Sequence, residues 1–243
     1  MPKFFVKKEN ISSTQIVIQG EDSKHISGAL RHKAGDSIII CDGEGTDYAC
    51  TISQMDSGSV TCQIAASSRS LSEPTAKCTL FMAIPKGDKM ELIIQKAVEL
   101  GVSSIVPVQS KRCVVQIKEK DIEKKRERWQ RISEAAAKQS GRGILPQVFS
   151  PVSFAKALQM MARHEHKAVF YESEHNSSIS DYVNKSIVDF AFLIGPEGGL
   201  DADEILACQE NNISVLSLGQ RILRTETAPL CVLSIFMYIT QNL

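Results

Sequence analysis

The sequence predicts an α/β protein in two parts, a small antiparallel β-barrel over residues 1–70 and an α/β domain over residues 74–243. Three observations predict it. The first 70 residues offer short β segments parted by turns, and after residue 74 strands alternate with helices, the mark of a mostly parallel sheet covered on both faces. In addition, two glycine-bearing strand-to-loop junctions lie close together near the end of the chain. They are Gly195-Pro196-Glu197-Gly198-Gly199 and Leu218-Gly219-Gln220-Arg221-Ile222-Leu223-Arg224-Thr225-Glu226-Thr227-Ala228-Pro229. An open α/β sheet builds its ligand crevice at such carboxyl ends of strands.

The barrel rests on Gln15–Ile18, Ser37–Cys41 and Val60–Ile64, separated by the turns Asp42-Gly43-Glu44-Gly45 and Asp56-Ser57-Gly58-Ser59. A helix from Asp22 to Leu30 interrupts them and leads into Arg31-His32-Lys33-Ala34-Gly35-Asp36. Small, polar Ala65–Pro74 reads as a linker. The period then changes. Strands are predicted at Lys77–Ile84, Ser104–Val108, Lys167–Tyr171, Phe190–Ile194 and Val215–Leu218. Helices are predicted at Asp88–Leu100, Glu119–Gln139, Ser153–Ala162, Asp201–Asn211 and Glu226–Thr240, several closed by glycine or opened by a capping residue.

Composition narrows the function classes. With 243 residues and 43% hydrophobic content there is material for a sizeable core. No apolar run reaches membrane-spanning length, and the start, Met1 to Lys8, has no signal-peptide core, so the expectation is a cytoplasmic protein without a membrane partner. Seven cysteines without a CxxC pair read as reduced, buried small hydrophobes. His164 and His166 do not face one ligand, and no metal site is predicted. The net charge is zero, but residues 71–150 carry +6 and residues 151–243 carry −5. A positive middle third is compatible with nucleic acid, although a basic helix such as Lys118–Arg131 is most often a solvated face.

Neither GxGxxG nor GxxxxGK[ST] occurs, so any cofactor is held by other means. At Gly195–Gly199, glycines let a ligand approach the backbone closely, while Asp201 and Asp203 in the next helical turn oppose a phosphate there. In the second junction Thr225 or Thr227 can cap the final helix, but that does not account for Arg221, Arg224 and Glu226 in a loop bordered by core residues. Arg224 and Glu226 are therefore candidates for binding or catalysis. Lys86 and Lys89 at one strand end, Lys111 and Arg112 at another, Arg31, His32 and Lys33 in the small domain, and Gln139 and Arg142 at a helix end form a candidate cationic edge for nucleic acid.

The set Arg31-His32 with Gly35-Asp36, Pro85-Lys86-Gly87, Lys96-Ala97 with Glu99-Leu100-Gly101, Glu134-Ala135-Ala136 with Lys138-Gln139-Ser140 and Arg142, Ile194–Gly199, and Leu218–Ala228 resembles the ribosomal RNA small-subunit methyltransferase E family over essentially the whole chain. The resemblance implies a PUA-like RNA-binding β-barrel over residues 1–70. It implies a SPOUT-class α/β methyltransferase domain over 74–243, tied in a trefoil knot, which runs against the general rarity of threaded chains. It further implies a homodimer that uses S-adenosylmethionine to methylate ring nitrogen three of a uridine in 16S rRNA of the small ribosomal subunit. The cofactor would be held by Leu193, Ile194, Gly195, Gly199, Leu216, Leu218, Gly219, Ile222, Leu223, Thr227 and Ala228, without an acidic ribose-binding residue. Glu197 or Glu226 would accept the uridine proton and Arg224 would stabilise the developing anion. Two alternatives are a knot methyltransferase acting on another RNA base and a non-catalytic RNA-binding ribosome-assembly factor.

Overall fold

The computed structural model describes residues 3–243, and the chain divides into two compact units. One comprises the residues up to Glu73 together with Ala137–Leu145; the other comprises Pro74–Ala136 and Pro146–Leu243.

The first unit contains β1 (Lys3–Phe5), β2 (Gln15–Gln19), α1 (Glu21–Lys24), β3 (Ser37–Cys41), β4 (Thr46–Asp56) and β5 (Ser59–Arg69). They form a five-stranded sheet in the order β1-β3-β4-β5-β2. The β1–β3 pairing is parallel and the rest are antiparallel. Strand alternation sends Ile16, Ile18, Ile38, Ile40, Ile52 and Val60 into a common core. The helix expected from Asp22 to Leu30 is present as α1 running into a π-helical turn, His25–Ala29, which buries Ile26.

Two expectations for this unit are corrected. Ala65–Arg69 is the end of β5, not a linker: Ala66 pairs with Ala49 and Ser68 with Asp47. Its residues are exposed on both faces, so no alternation marks the strand. Arg142, expected to meet RNA, is instead buried. Its Nε and Nη2 each donate to the Glu73 carboxylate at 2.8 Å. The backbone amides of Gly143 and Ile144 also donate to Glu73, at 2.6 and 3.0 Å. Both side chains are only 5% exposed, so a phosphate has no access to this guanidinium. Segment 137–145 is pinned further by Lys138 on Asp22 at 2.9 Å and by the Leu145 amide on the Gly43 carbonyl at 3.1 Å.

The second unit holds β6 (Lys77–Ala83), α2 (Lys89–Glu99), β7 (Ser104–Gln109), most of α3 (Glu119–Ser140), β8 (Gln147–Val148), β9 (Val152–Ser153) and α4 (Phe154–Met161). It continues with β10 (His166–Phe170), α5 (Ile179–Tyr182), β11 (Asp189–Ile194), α6 (Ala202–Glu210), β12 (Ser214–Leu216) and α7 (Ala228–Ile239). The sheet order is β12-β10-β11-β6-β7-β8, with β9 also on β7, and every pairing is parallel.

Apolar residues run continuously along β6 and β11 because both faces of the sheet are covered. On one face Phe81, Ala191 and Leu193 pack with Leu158 and Ile205 of the helices. On the other, Phe190 stacks on Phe192 at 5.7 Å between ring centres and meets Phe236 of α7 at 5.2 Å. Burial pushes the thiols of Cys41, Cys62 and Cys208 up to about 12, so they are inert packing groups, as the odd, unpaired count implies.

The register fixes the site. Phe170 pairs with both Ile194 and Leu216, and Ile194 pairs with Met82, so the carboxyl ends of β10, β11, β12 and β6 come out level at one edge. Strand order also reverses here: the chain steps outward from β6 through β7 and β8, then returns to place β11 and β10 on the opposite side.

Candidate functional site

The loops leaving that edge enclose a cavity of about 590 Å³, a size typical of small-molecule sites. Ile194, Gly195, Glu197 and Gly199 line it from the loop after β11. Leu218, Gly219, Ile222, Leu223 and Arg224 line it from the loop after β12, with Ala228 at the start of α7. Both junctions singled out from the sequence thus form one pocket, and they are joined directly. The buried Thr225 hydroxyl donates to the Gly195 carbonyl at 2.8 Å. Replacing Thr225 with Val removes that bond and leaves the carbonyl unsatisfied, for an expected loss of about 1–3 kcal/mol in urea unfolding.

Glycine is required at two points of the first loop. A Cβ on Gly195 would lie 3.1 Å from Leu200 Cγ and 3.2 Å from the Gly199 carbonyl carbon, inside the loop's own turn. Gly199 has φ +67°, and a Cβ there would lie 2.2 Å from Glu172 Oε1.

Phe170, Tyr171, Glu172 and His175 also line the cavity, and the sequence reading had not placed them there. The signal was present: Phe170 and Tyr171 end a predicted strand, and strand ends form the crevice. Leu193, Leu216 and Thr227 were expected at the cofactor but do not line the cavity. Leu193 is wholly buried in the sheet core, Leu216 is buried at the end of β12 with its carbonyl accepting from the Tyr171 amide at 3.0 Å, and the Thr227 amide is spent on the Arg224 carbonyl at 2.8 Å.

A charged cluster stands at one end. Lys89 Nζ donates to Glu197 Oε1 at 3.0 Å and lies 3.2 Å from Glu226 Oε2, the latter an ion pair not aligned as a hydrogen bond. The Lys86 amide donates to Glu197 at 3.2 Å. Burial disfavours the Glu197 charge, but the bonds from Lys89 and Lys86 outweigh it and hold the carboxyl below its ordinary value. The backbone amide of Glu226 holds its own carboxyl low against partial desolvation, helped by Lys89 and Arg224. The Glu197 hydrogen bond, foremost, raises Lys89. The Arg224 side chain has no hydrogen bond or ion pair among the described residues. Lys89, expected on an open cationic edge, belongs to this cluster.

The first loop is braced from β7. Arg112 donates to the Gly198 carbonyl and to Asp201, both at 3.2 Å, and Lys111 Nζ donates to Asp201 at 2.9 Å. The Lys111 bond is the main reason the Asp201 carboxyl is held low. Asp201 also caps α6 in a capping box with Glu204, so the acidic first turn is committed to structure. Arg31, Lys33, Lys86 and Gln139 are exposed, and His32 Nδ1 sits 3.0 Å from Asp36. Among the described residues no His/Cys/Asp/Glu group could hold a metal, and no helix is long and apolar enough to cross a membrane.

A parallel sheet with a glycine-walled cavity at its reversal point, in a chain that begins with a separate β unit, defines a class, and the family models agree with it. An RNA methyltransferase domain matches residues 72–237, and an RNA methyltransferase PUA domain matches residues 18–65. Ribosomal RNA small subunit methyltransferase E of Bacillus subtilis is 36% identical over 252 aligned positions, covering 100% of this chain and 98% of that one. The crystal structure of ribosomal RNA small subunit methyltransferase E from Neisseria gonorrhoeae, bound to S-adenosyl methionine, is 30% identical. It superposes with a TM-score of 0.88 over 98% of this chain and 97% of its own. A Legionella pneumophila structure in complex with the same cofactor is also 30% identical, with a TM-score of 0.85 over 97% and 96%. The chain belongs to the ribosomal RNA small subunit methyltransferase E family.

Proposed function

We infer that this protein is an S-adenosylmethionine-dependent methyltransferase of ribosomal RNA whose target is ring nitrogen three of a uridine in the 16S rRNA of the small subunit. The observation that carries the reading is the joining of the two junction loops, through Thr225 and Gly195, around one cavity lined by Arg224 and Glu197, with Glu226 paired to Lys89 of the same lining. The cavity suits the cofactor: Ile194, Leu218, Ile222 and Leu223 offer apolar walls to an adenine, and Gly195 and Gly219 offer backbone without bulk. When bound, S-adenosylmethionine supplies an electrophilic methyl group.

The chain's own residues do the rest. Residues 1–70 grip RNA, residues 74–243 carry the chemistry, and the C-terminal loops are threaded as a knot. Arg31, His32, Lys33, Lys86 and Gln139 hold phosphates while the target base is drawn out of its stack. A uracil ring nitrogen attacks only once its proton leaves. Glu197 or Glu226 receives that proton, and Arg224 stabilises the negative charge that spreads onto the uracil oxygens. The enzyme acts in the cytoplasm as a homodimer; Tyr238 on α7, 74% exposed, is apolar surface for a second copy to cover.

Labelled methyl transfer to naked 16S rRNA and to assembled small subunits, followed by nuclease digestion and mass spectrometry, tests this. N3-methyluridine at a single position is the expected product. Label on another base, or none on either substrate, defeats the assignment. Glu197→Gln and Glu226→Gln show which carboxylate receives the proton.

The pH profile provides a separate check. Both carboxyls are held below their ordinary value, so their charge is lost only as pH falls through that lowered value. Activity should therefore show no acid limb above about 4.3, the ordinary glutamate value. An acid limb nearer neutrality would assign the proton to another group.

A further inference from the structure

Glu172 is an acidic cavity wall residue without a role in proton or methyl transfer. It follows β10, is exposed to the cavity, and has no hydrogen bond or ion pair among the described residues. By contrast, Glu197 and Glu226 are both engaged by Lys89. Its carboxylate stands directly over the Cα of Gly199, with Oε1 2.2 Å from where a Cβ would be. A side chain at residue 199 would thus displace it.

A bare carboxylate in a cavity is costly to cover unless the ligand donates hydrogen bonds to it. Two kinds of donor fit a cofactor of this class, a pair of ribose hydroxyls or an ammonium group. Arg224, Glu197 and Glu226 are already assigned to the target base, and Lys89 is held by both of those glutamates. Glu172 makes no ion pair with that set and borders the glycine loop at Gly199, and Phe170 lines the same cavity. The two oxygens of a carboxylate match two vicinal hydroxyls, the device other α/β folds use to select a ribose.

We propose that Glu172 is a specificity-determining residue that accepts hydrogen bonds from the cis-diol of the cofactor's ribose, with Gly199 kept free of a side chain to make room for its carboxylate. This rests on the methyltransferase reading. It gives the cofactor site an acidic ribose contact, which the family resemblance does not imply.

Titration calorimetry on the full-length protein tests it with three ligands: S-adenosylhomocysteine, 5′-methylthioadenosine, which keeps the ribose but lacks the amino-acid tail, and the 2′,3′-dideoxy form of the latter. Glu172→Ala should weaken the first two about 10- to 100-fold, the loss expected when hydrogen bonds to a charged group go. It should leave the already weak dideoxy ligand unchanged, and Glu172→Gln should fall between. An unchanged melting temperature in both variants shows that the fold is intact; should Glu172→Ala not fold, Glu172→Gln carries the same comparison. Equal affinity of wild type and variants for S-adenosylhomocysteine overturns the proposal. A loss confined to S-adenosylhomocysteine also overturns it, since the carboxylate then reads the ammonium. Wild-type protein that binds none of the three overturns the methyltransferase reading itself, a result distinguishable from both.

Discussion

Arg224→Ala should lower the rate constant for methyl transfer about 100- to 1,000-fold, the usual effect of removing a preorganised donor aimed at developing charge. Cofactor affinity should change far less. The argument rests on the imbalance at the cavity's charged end. Both glutamates are held ionised, which leaves each a weak proton acceptor at neutral pH. The uracil anion must then be made more stable, and Arg224, which faces Glu226, is a cavity cation whose side chain has no hydrogen bond or ion pair among the described residues, while Lys89 is engaged by two carboxylates. Arg224→Lys should recover part of the rate, because a point charge replaces the charge but not the planar fork. Single-turnover transfer, with cofactor binding followed separately by calorimetry, distinguishes the two quantities. Wild-type rates in both variants would place anion stabilisation elsewhere.

The second large effect is on stability. Glu73→Ala should destabilise the protein by about 3–5 kcal/mol, because it strands a buried guanidinium without its counterion. Four donors converge on Glu73: two from Arg142 and the amides of Gly143 and Ile144. Arg142→Met should be milder, since the remaining carboxylate keeps two amide donors and an apolar stem fills the space. Chemical denaturation of both variants measures the difference. Equal, small losses would mean that the pair is neutral in the folded protein.

The sheet of the second unit was legible because Leu80–Ala83 in β6 and Phe190–Ile194 in β11 are unbroken apolar runs of strand length, a pattern that a doubly covered strand sustains. The cavity was legible in part, since its two main loops are glycine-bearing strand ends. Glu172 was not, because an acid in the polar run Glu172-Ser173-Glu174-His175 reads as an ordinary surface turn until the register of β10 against β11 brings it over Gly199. Arg142 was misread for a related reason. A cation beside glycine at a helix end reads as a surface group, and its partner lies 69 residues earlier in the chain. Much of β4 and the end of β5 escaped because alternation fades where both faces meet solvent. Leu193 was assigned by its place in a motif, although its period along β11 turns its side chain into the core.

The pairing of Glu73 with Arg142 also bears on how the protein is made. Ribosomes add about 5–20 residues per second, so the N-terminal sheet leaves the exit tunnel several seconds before the piece that completes it. Through that interval Glu73 waits in water without its four donors, and the surface that will receive residues 137–145 stays open. A truncated fragment ending near residue 73 would be arrested at this stage, and appending a peptide spanning 137–145 should rescue it.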